Sequence, residues 1–170
     1  MGDFLKEIIM KSIDINIVEA DVDIIAHCCN CQNTMGSGVA RAIRDKWPEV
    51  YEADCETKKG DVNKFGKFSL ANIKNPDNRI KKVYNLYGQY SYGRERRQVN
   101  YEKMYSAIEL MRNDIVDRLS SIEDQSKIRV GFPHGMASMR AGGDWRIIEK
   151  MIEVIFEKTN IEVCICKYVE

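Results

Sequence analysis

Short apolar runs alternate along the chain with segments of polar and turn-forming residues. Runs rich in Ile, Val and aromatic residues, bounded by Gly, Pro, Asn or Asp, are typical of strands that pack into a core. The run nearest the N-terminus, 7–17, predicts one or two strands. The remaining strand predictions cover 22–27, 64–73, 80–88, 127–132 and 161–169.

Between these runs, apolar residues recur at helical spacing and predict four helices. The first begins at Gly38, and Pro48 either ends that helix or begins the second, which Gly60 closes. The third is a long amphipathic helix over 99–119. Asp144 precedes the fourth helix and is a natural N-cap for it.

Strands that alternate with helices indicate an α/β protein with a mixed, mostly parallel sheet covered on both faces. We expect one domain over 1–170. Ligands on such sheets bind outside the carboxyl ends of strands. Two loops there are conspicuous, the first loop (27–38) and the second loop (133–144).

Charge and hydropathy exclude some classes of partner. The 170 residues include 26 Lys and Arg and 26 Asp and Glu, so no overall basic field favours nucleic acid or an anionic membrane. No apolar run approaches the ~18 residues of a membrane span. The N-terminus lacks the basic-then-apolar order of a secretory signal. We therefore expect a cytoplasmic protein with no membrane partner.

The chain has six cysteines, which we expect to be free thiols. Three of them lie with a histidine in 27–31, but adjacent cysteines point in different directions and no second pair completes a zinc site. A thiol catalyst is also disfavoured, since no arginine closes that loop. We expect no metal and no cofactor. Cys164 and Cys166 fit a buried strand, and Cys55 fits a packed helix face.

Two glycines in the first loop suggest an anion site. Gly36 and Gly38 permit backbone angles closed to other residues and leave N–H groups free at the positive end of a helix. The segment lacks the Lys-Ser/Thr of a P-loop and the third glycine of a dinucleotide fingerprint. The amides of Asn30, Gln32 and Asn33 suit a polyhydroxylated ligand such as ribose, or they cap turns of the loop itself.

At this point two stretches resemble the macro domain family. They are "DVDIIAHCCN" with "GSGVARAI", and "FPHGMASMRAGGDW". Both are similar to a subgroup that includes a yeast ADP-ribose-1″-phosphate phosphatase and small bacterial and phage macro proteins. The resemblance spans about 8–168 and implies a three-layer α/β/α sandwich that binds ADP-ribose.

The resemblance also implies roles for individual residues. Asp14 would accept from the adenine amino group, Asn30 would hold the distal ribose, and 36–40 and 137–139 would contact the phosphates. Glycines usual in the second of these phosphate segments are replaced here by Ala137 and Met139. The complete expected ligand set is Asp14, Ile15, Asn30, Met35, Gly36, Ser37, Gly38, Val39, Ala40, Ala137, Ser138, Met139 and Arg140.

The implied activity is hydrolysis of ADP-ribose 1″-phosphate to ADP-ribose and phosphate. The alternatives are removal of ADP-ribose from protein or nucleic acid, and a non-catalytic ADP-ribose reader or sponge. The catalytic candidates are His27, Asn30 and Asp144. His27 is either an acid/base group or a strand-end histidine that only hydrogen-bonds, and Asp144 either activates water or only caps a helix.

One further segment, 87–102, interleaves aromatic residues with Arg94, Arg96 and Arg97. It is either a lid for a larger substrate, such as an ADP-ribosylated macromolecule, or a solvated loop before the long helix.

Overall fold

The computed structural model describes residues 10–169. It contains one six-stranded sheet with helices on both faces. The strands are β1 (Met10–Asp14), β2 (Ile24–Asn30), β3 (Phe68–Asn72), β4 (Lys82–Gln89), β5 (Arg129–Pro133) and β6 (Glu162–Lys167). The helices are α1 (Gly38–Lys46), α2 (Pro48–Cys55), α3 (Tyr101–Asp117), α4 (Ile122–Gln125) and α5 (Trp145–Phe156), with 3-10 turns at Ile17–Glu19 and Val62–Lys64.

The strand order is β1-β6-β5-β2-β4-β3. All neighbours are parallel except β3 and β4, which are antiparallel. The mixed, mostly parallel sheet predicted from the alternating pattern is therefore confirmed.

Two hydrophobic cores lie on opposite faces of this sheet. Because successive strand residues point to opposite faces, Ile24 and Ala26 of β2 join one core, whereas Ile25 and Cys29 join the other. Helices α3 and α5 cover the first core, and α1 and α2 cover the second. The three-layer α/β/α sandwich is confirmed.

Several element predictions can be compared with the structure. Pro48 begins α2 as its first residue, and Cys164 and Cys166 are buried as expected. The prediction for Cys55 is wrong, because this last residue of α2 is exposed. The part of 7–17 that precedes Met10 lies outside the described residues.

The topology creates a crevice between β2 and β5. The chain leaves β2 through α1 and α2 on one face of the sheet, and it leaves β5 through α5 on the other. The first and second loops therefore diverge from adjacent strand ends, and a crevice forms where connections depart to opposite faces. Within residues 10–169, no helix combines the length and the apolar character needed to cross a bilayer.

Candidate ligand-binding cleft

A cleft of about 850 Å³ occupies this crevice. Its volume lies in the range of small-molecule sites. The first loop and the start of α1 form one wall, the second loop forms the opposite wall, and β4 with the segment after it completes the rim. The lining residues are His27, Cys28, Cys29, Asn30, Thr34, Met35, Gly36, Ser37, Gly38, Val39, Ala40, Gln89, Tyr92, Gly93, Arg94, Pro133, His134, Gly135, Met136, Ala137, Met139, Arg140 and Ala141.

The first wall presents backbone at the start of α1. Gly38 has φ +59°, a left-handed conformation that favours glycine. Ser37 is the N-cap residue of α1 but its side chain makes no capping bond, and no acidic residue lies in the first turn. The first N–H groups of α1 therefore have no side-chain partner, as an anion site requires.

The expectation that both glycines need unusual backbone angles holds at Gly38 only. Gly36 has no left-handed φ, and a Cβ added there would meet nothing within 4 Å. What Gly36 contributes is open space beside the α1 N-terminus, not conformational freedom.

Asn30 ends β2 at the floor of the cleft. The pairing of β2 with β4 shifts register between Cys29 and Asn30, and such an irregularity re-aims the side chain that follows it. The Asn30 amide donates to Thr34 Oγ1 at 2.7 Å, and its carbonyl oxygen accepts from Gln32 N at 2.8 Å. These two hydrogen bonds fit the interpretation in which the Asn30 amide caps turns of the first loop itself.

Asn33 fixes the tip of the first loop to the rest of the fold. Its Nδ2 donates to Thr57 O at 2.9 Å, and its backbone oxygen accepts from Tyr51 OH at 3.1 Å. Its Oδ1 accepts from Lys64 Nζ, and Lys64 is itself only 8% exposed. Sequence reasoning missed Lys64, because nothing in its local pattern distinguishes it from a surface lysine.

His27 lies beneath the cleft with its imidazole facing α2. The side chain is 1% exposed, and Nε2 donates to Asn85 Oδ1 at 2.6 Å, since the Asn85 amide nitrogen is engaged with Val50 O and Ser69 Oγ. Burial lowers the pKa of His27 to about 4, although the Asn85 hydrogen bond opposes this shift. The imidazole is therefore neutral at pH 7 and fixed in the core, and this geometry favours a structural role.

The thiols of the first loop are unsuited to nucleophilic chemistry near neutral pH. Burial raises the pKa of Cys28 to about 12 and that of Cys31 to about 11, so both stay protonated. Across residues 10–169, no three His, Cys, Asp or Glu side chains converge in a way that could hold a metal ion.

The second wall differs in construction. Ala137 has φ +60°, so the left-handed geometry expected of a glycine is retained with alanine. Its carbonyl oxygen accepts from Gly143 N at 2.9 Å, which closes the second loop on itself. Met139 is 93% exposed at the mouth of the cleft. Its side chain therefore lies in solvent and does not fill the crevice.

Four of the predicted site residues do not line the cleft: Asp14, Ile15, Ser138 and Asp144. Asp144 caps α5 by accepting from Arg146 N, and it pairs with the Arg146 guanidinium at 2.8 Å. These hydrogen bonds lower the pKa of Asp144. Its geometry fits the capping interpretation.

Asp14 and Ile15 lie at the carboxyl end of β1, which β6 separates from β5. At the usual strand spacing this places Asp14 about 10 Å along the sheet edge from the cleft. An extended ligand could span that distance, so the adenine role of Asp14 remains a prediction.

The rim of the cleft includes Gln89, Tyr92 and Arg94. Of the two interpretations of 87–102, a lid for a larger substrate or a solvated loop, the lid is the one that requires residues of this segment to line the cleft, as these do. The aromatic–arginine pattern was the available signal. Its position beside the cleft depends on β4 pairing with β2, which the local sequence does not encode.

The cleft has charged lining residues of one sign. Arg94 and Arg140 line it, and none of the lining residues in the described part of the chain is acidic. A cleft with helix N–H groups, two guanidinium groups and no carboxylate favours an anionic ligand.

These features define the class of fold. The macrodomain of Mycobacterium tuberculosis DarG is similar to this structure with a TM-score of 0.73, over 96% of this chain and 99% of that chain, at 16% identity. Thermosipho africanus DarTG in complex with ADP-ribose matches with a TM-score of 0.71 over 96% of this chain and 42% of that chain, at 15% identity. The protein therefore has the macrodomain fold, as its two sequence motifs suggested.

A sequence relative is more specific. The chain is 34% identical over 156 residues to an uncharacterized 17.5 kDa protein encoded in the tk-vs intergenic region of Enterobacteria phage T4, covering 88% of this chain and 90% of that protein. The chain belongs to the family of that phage protein. It matches no protein-family profile.

Proposed function

We propose that this protein binds ADP-ribose in the cleft between the first and second loops. The observation that carries the proposal is a cleft lined by helix N–H groups and two arginines, with no acidic residue in its described lining. The macrodomain fold supports it, since one protein of the same fold was solved in complex with ADP-ribose.

The diphosphate is the part of the ligand that this cleft suits best. It would lie against the backbone of residues 36–40, where Gly38 turns the chain into α1 and Gly36 leaves open space. Neutral N–H donors and flanking guanidinium groups can both hydrogen-bond phosphate oxygens. The second loop, from Ala137 to Arg140, would cover the diphosphate from the opposite side.

The sugar and the base are assigned with fewer contacts. Asn30 would meet the distal ribose at the floor of the cleft, in the arrangement its bonds to Thr34 and Gln32 hold. Asp14, which is exposed at the end of β1, would accept from the adenine amino group if the ligand extends along the sheet edge.

The second candidate function is hydrolysis of the terminal ester of ADP-ribose 1″-phosphate. The observation in its favour is that Arg94, Arg140 and the exposed His134 all line the cleft, and each of these side chains can hydrogen-bond phosphate oxygens. The protein would then hold the additional phosphate at the mouth of the cleft. The buried, neutral His27 and the capping Asp144 are poorly placed for proton transfer, so His134 is the lining group for a turnover test.

Calorimetric titration with ADP-ribose tests the first candidate. We expect one binding site per chain and no binding of ribose alone. The second candidate is tested by incubation with ADP-ribose 1″-phosphate and measurement of released phosphate, with a His134→Gln variant as the comparison. Binding without phosphate release would reject the second candidate, and the absence of ADP-ribose binding would reject the proposal.

A further inference from the structure

Arg140 and Gly38 make a contact that joins the two walls of the cleft. The Arg140 side chain lies so close to Gly38 that a Cβ at that position would be 2.9 Å from Nε and 3.2 Å from Cδ of the arginine. Arg140 belongs to the second loop and Gly38 is the first residue of α1. The arginine therefore reaches across the crevice. Because residue 38 is a glycine with no side chain, it leaves a space for the arginine, which we call the seat.

This seat is electrostatically unusual. The guanidinium lies at the N-terminal end of α1, where the helix dipole is positive. The first turn of α1 has no acidic residue, and the described residues that line the cleft include no Asp or Glu. Two centres of positive potential thus face each other without a negative group between them, an arrangement that a bound anion would stabilise.

We propose that Arg140 determines the specificity of the cleft for phosphate-bearing ligands, by closing over the phosphate that sits at the α1 N-terminus. This inference rests on the proposed function and gives Arg140, one of the expected ligand residues, the specific task of selecting the charge of the ligand. Gly38 is required as the seat that lets the guanidinium approach the same phosphate as the α1 N–H groups. A planar, bidentate donor suits this role better than a lysine.

The test compares Arg140→Gln and Arg140→Lys with wild type by calorimetry, using ADP-ribose, inorganic pyrophosphate and adenosine as probes. We expect Arg140→Gln to weaken ADP-ribose and pyrophosphate binding about 10- to 100-fold, because charge-assisted hydrogen bonds are lost. Arg140→Lys should fall between the two. Whatever affinity adenosine shows should be the same in all three proteins.

Arg41→Gln is the matched control, since it removes one positive charge from the exposed side of α1, where Arg41 pairs with Asp45. It should leave ADP-ribose affinity unchanged. The melting temperature of ligand-free Arg140→Gln should equal that of wild type, because Arg140 is exposed. Equal affinity of Arg140→Gln and wild type for ADP-ribose and pyrophosphate would overturn the inference, as would an equal loss in Arg41→Gln.

A double-mutant cycle tests the seat itself. In a Gly38→Ala background, Arg140→Gln should cost clearly less pyrophosphate affinity than in wild type, because the new Cβ already displaces the arginine. Additive losses would show that Gly38 does not seat Arg140 and would contradict that part of the inference.

The probes separate this inference from the proposed function. Arg140-dependent binding of pyrophosphate without binding of ADP-ribose would sustain the inference and reject the proposed function. Arg140-independent binding of ADP-ribose would sustain the proposed function and reject the inference. Binding of neither probe would reject both.

Discussion

The two walls of the cleft are built in opposite ways. In the first loop Asn33 and Met35 turn inward: Asn33 is hydrogen-bonded to Lys64 and Thr57, and Met35 is 1% exposed. In the second loop Met139 is 93% exposed, and the exposed side chain of Arg140 extends across the cleft to Gly38. The first wall therefore offers the ligand a fixed backbone surface, and the second offers side chains.

This contrast separates two requirements of anion binding. A fixed array of N–H groups has to be organised before the ligand arrives, which explains the buried polar groups behind the first loop. Selection among anionic ligands depends on side chains that can move, which the second loop supplies. If this division is right, changes behind the first loop should cost stability, whereas changes in the second loop should mainly affect binding.

The largest effect is expected at His27, beneath the first wall. Its pKa is lowered to about 4 in the fold against about 6.5 in the unfolded chain, so the unfolded chain binds an extra proton between these values. This contribution to the free energy of unfolding is complete above pH 6.5 and is lost as the pH falls. The loss amounts to about 3 kcal/mol near pH 4.

Two measurements check that prediction. Urea unfolding at several pH values should give a steeper acid decline for wild type than for His27→Gln, which cannot titrate. Because the chain has 2 histidines, NMR titration with His134→Gln for assignment can follow the His27 imidazole directly. Protonation of His27 near pH 6.5 would contradict the buried, neutral assignment.

Lys64→Met should have the next largest effect. It removes the charged group that donates to Asn33 Oδ1 and Thr57 Oγ1 and that lies 5.0 Å from the centroid of the Tyr87 ring, while keeping an unbranched apolar side chain. We expect a loss of about 2 kcal/mol in the free energy of unfolding, together with weaker ADP-ribose binding as the loop tip loosens. Lys67→Met is the control, because Lys67 is exposed. Equal stability of the two variants in urea would show that Lys64 does not anchor the loop.

Gly38→Ala and Gly36→Ala form a matched pair at the α1 N-terminus. Gly38→Ala places a Cβ on a left-handed residue and should cost about 1–2 kcal/mol, with at least a tenfold loss of ADP-ribose affinity. Gly36→Ala meets no protein atom within 4 Å and should leave stability unchanged while its methyl group reduces affinity. Unaltered affinity in both variants, measured by calorimetry, would remove the diphosphate from this wall.

The smallest effect is expected in the second wall. Ala137 has φ +60°, so Ala137→Gly relieves backbone strain in the folded state but raises the conformational entropy of the unfolded chain. We expect a net gain of about 0.5 kcal/mol by urea unfolding. The helical control Ala53→Gly should lose about 1 kcal/mol instead. A loss of similar size at Ala137 would indicate that the second loop differs from the conformation described.

Much of the fold could be predicted because its signals are local. The apolar alternation of β6 predicted a buried strand, and Asp144 with the stripe after it predicted a capped helix. The predicted end of β2 was three residues too early, since residues 28–30 are held as a strand through pairing with β4. Pairing partners are long-range and leave no local pattern.

The site could be predicted only in part for the same reason. The motifs identified the backbone of residues 36–40 and the second loop, and the structure brings both to one cleft. They did not identify Lys64, which reaches the loop from a 3-10 turn, or the reach of Arg140 to Gly38. Whether His27 titrates or is buried depends on Asn85 and α2, which its own sequence neighbours do not specify.

The most direct test of the central claim is a crystal structure of the protein with ADP-ribose. The account predicts the diphosphate in the cleft, within hydrogen-bonding distance of the backbone nitrogens of Gly38 and Val39, with the Arg140 guanidinium on its opposite side. A complex in which the nucleotide binds elsewhere, or in which these nitrogens contact no phosphate oxygen, would contradict it.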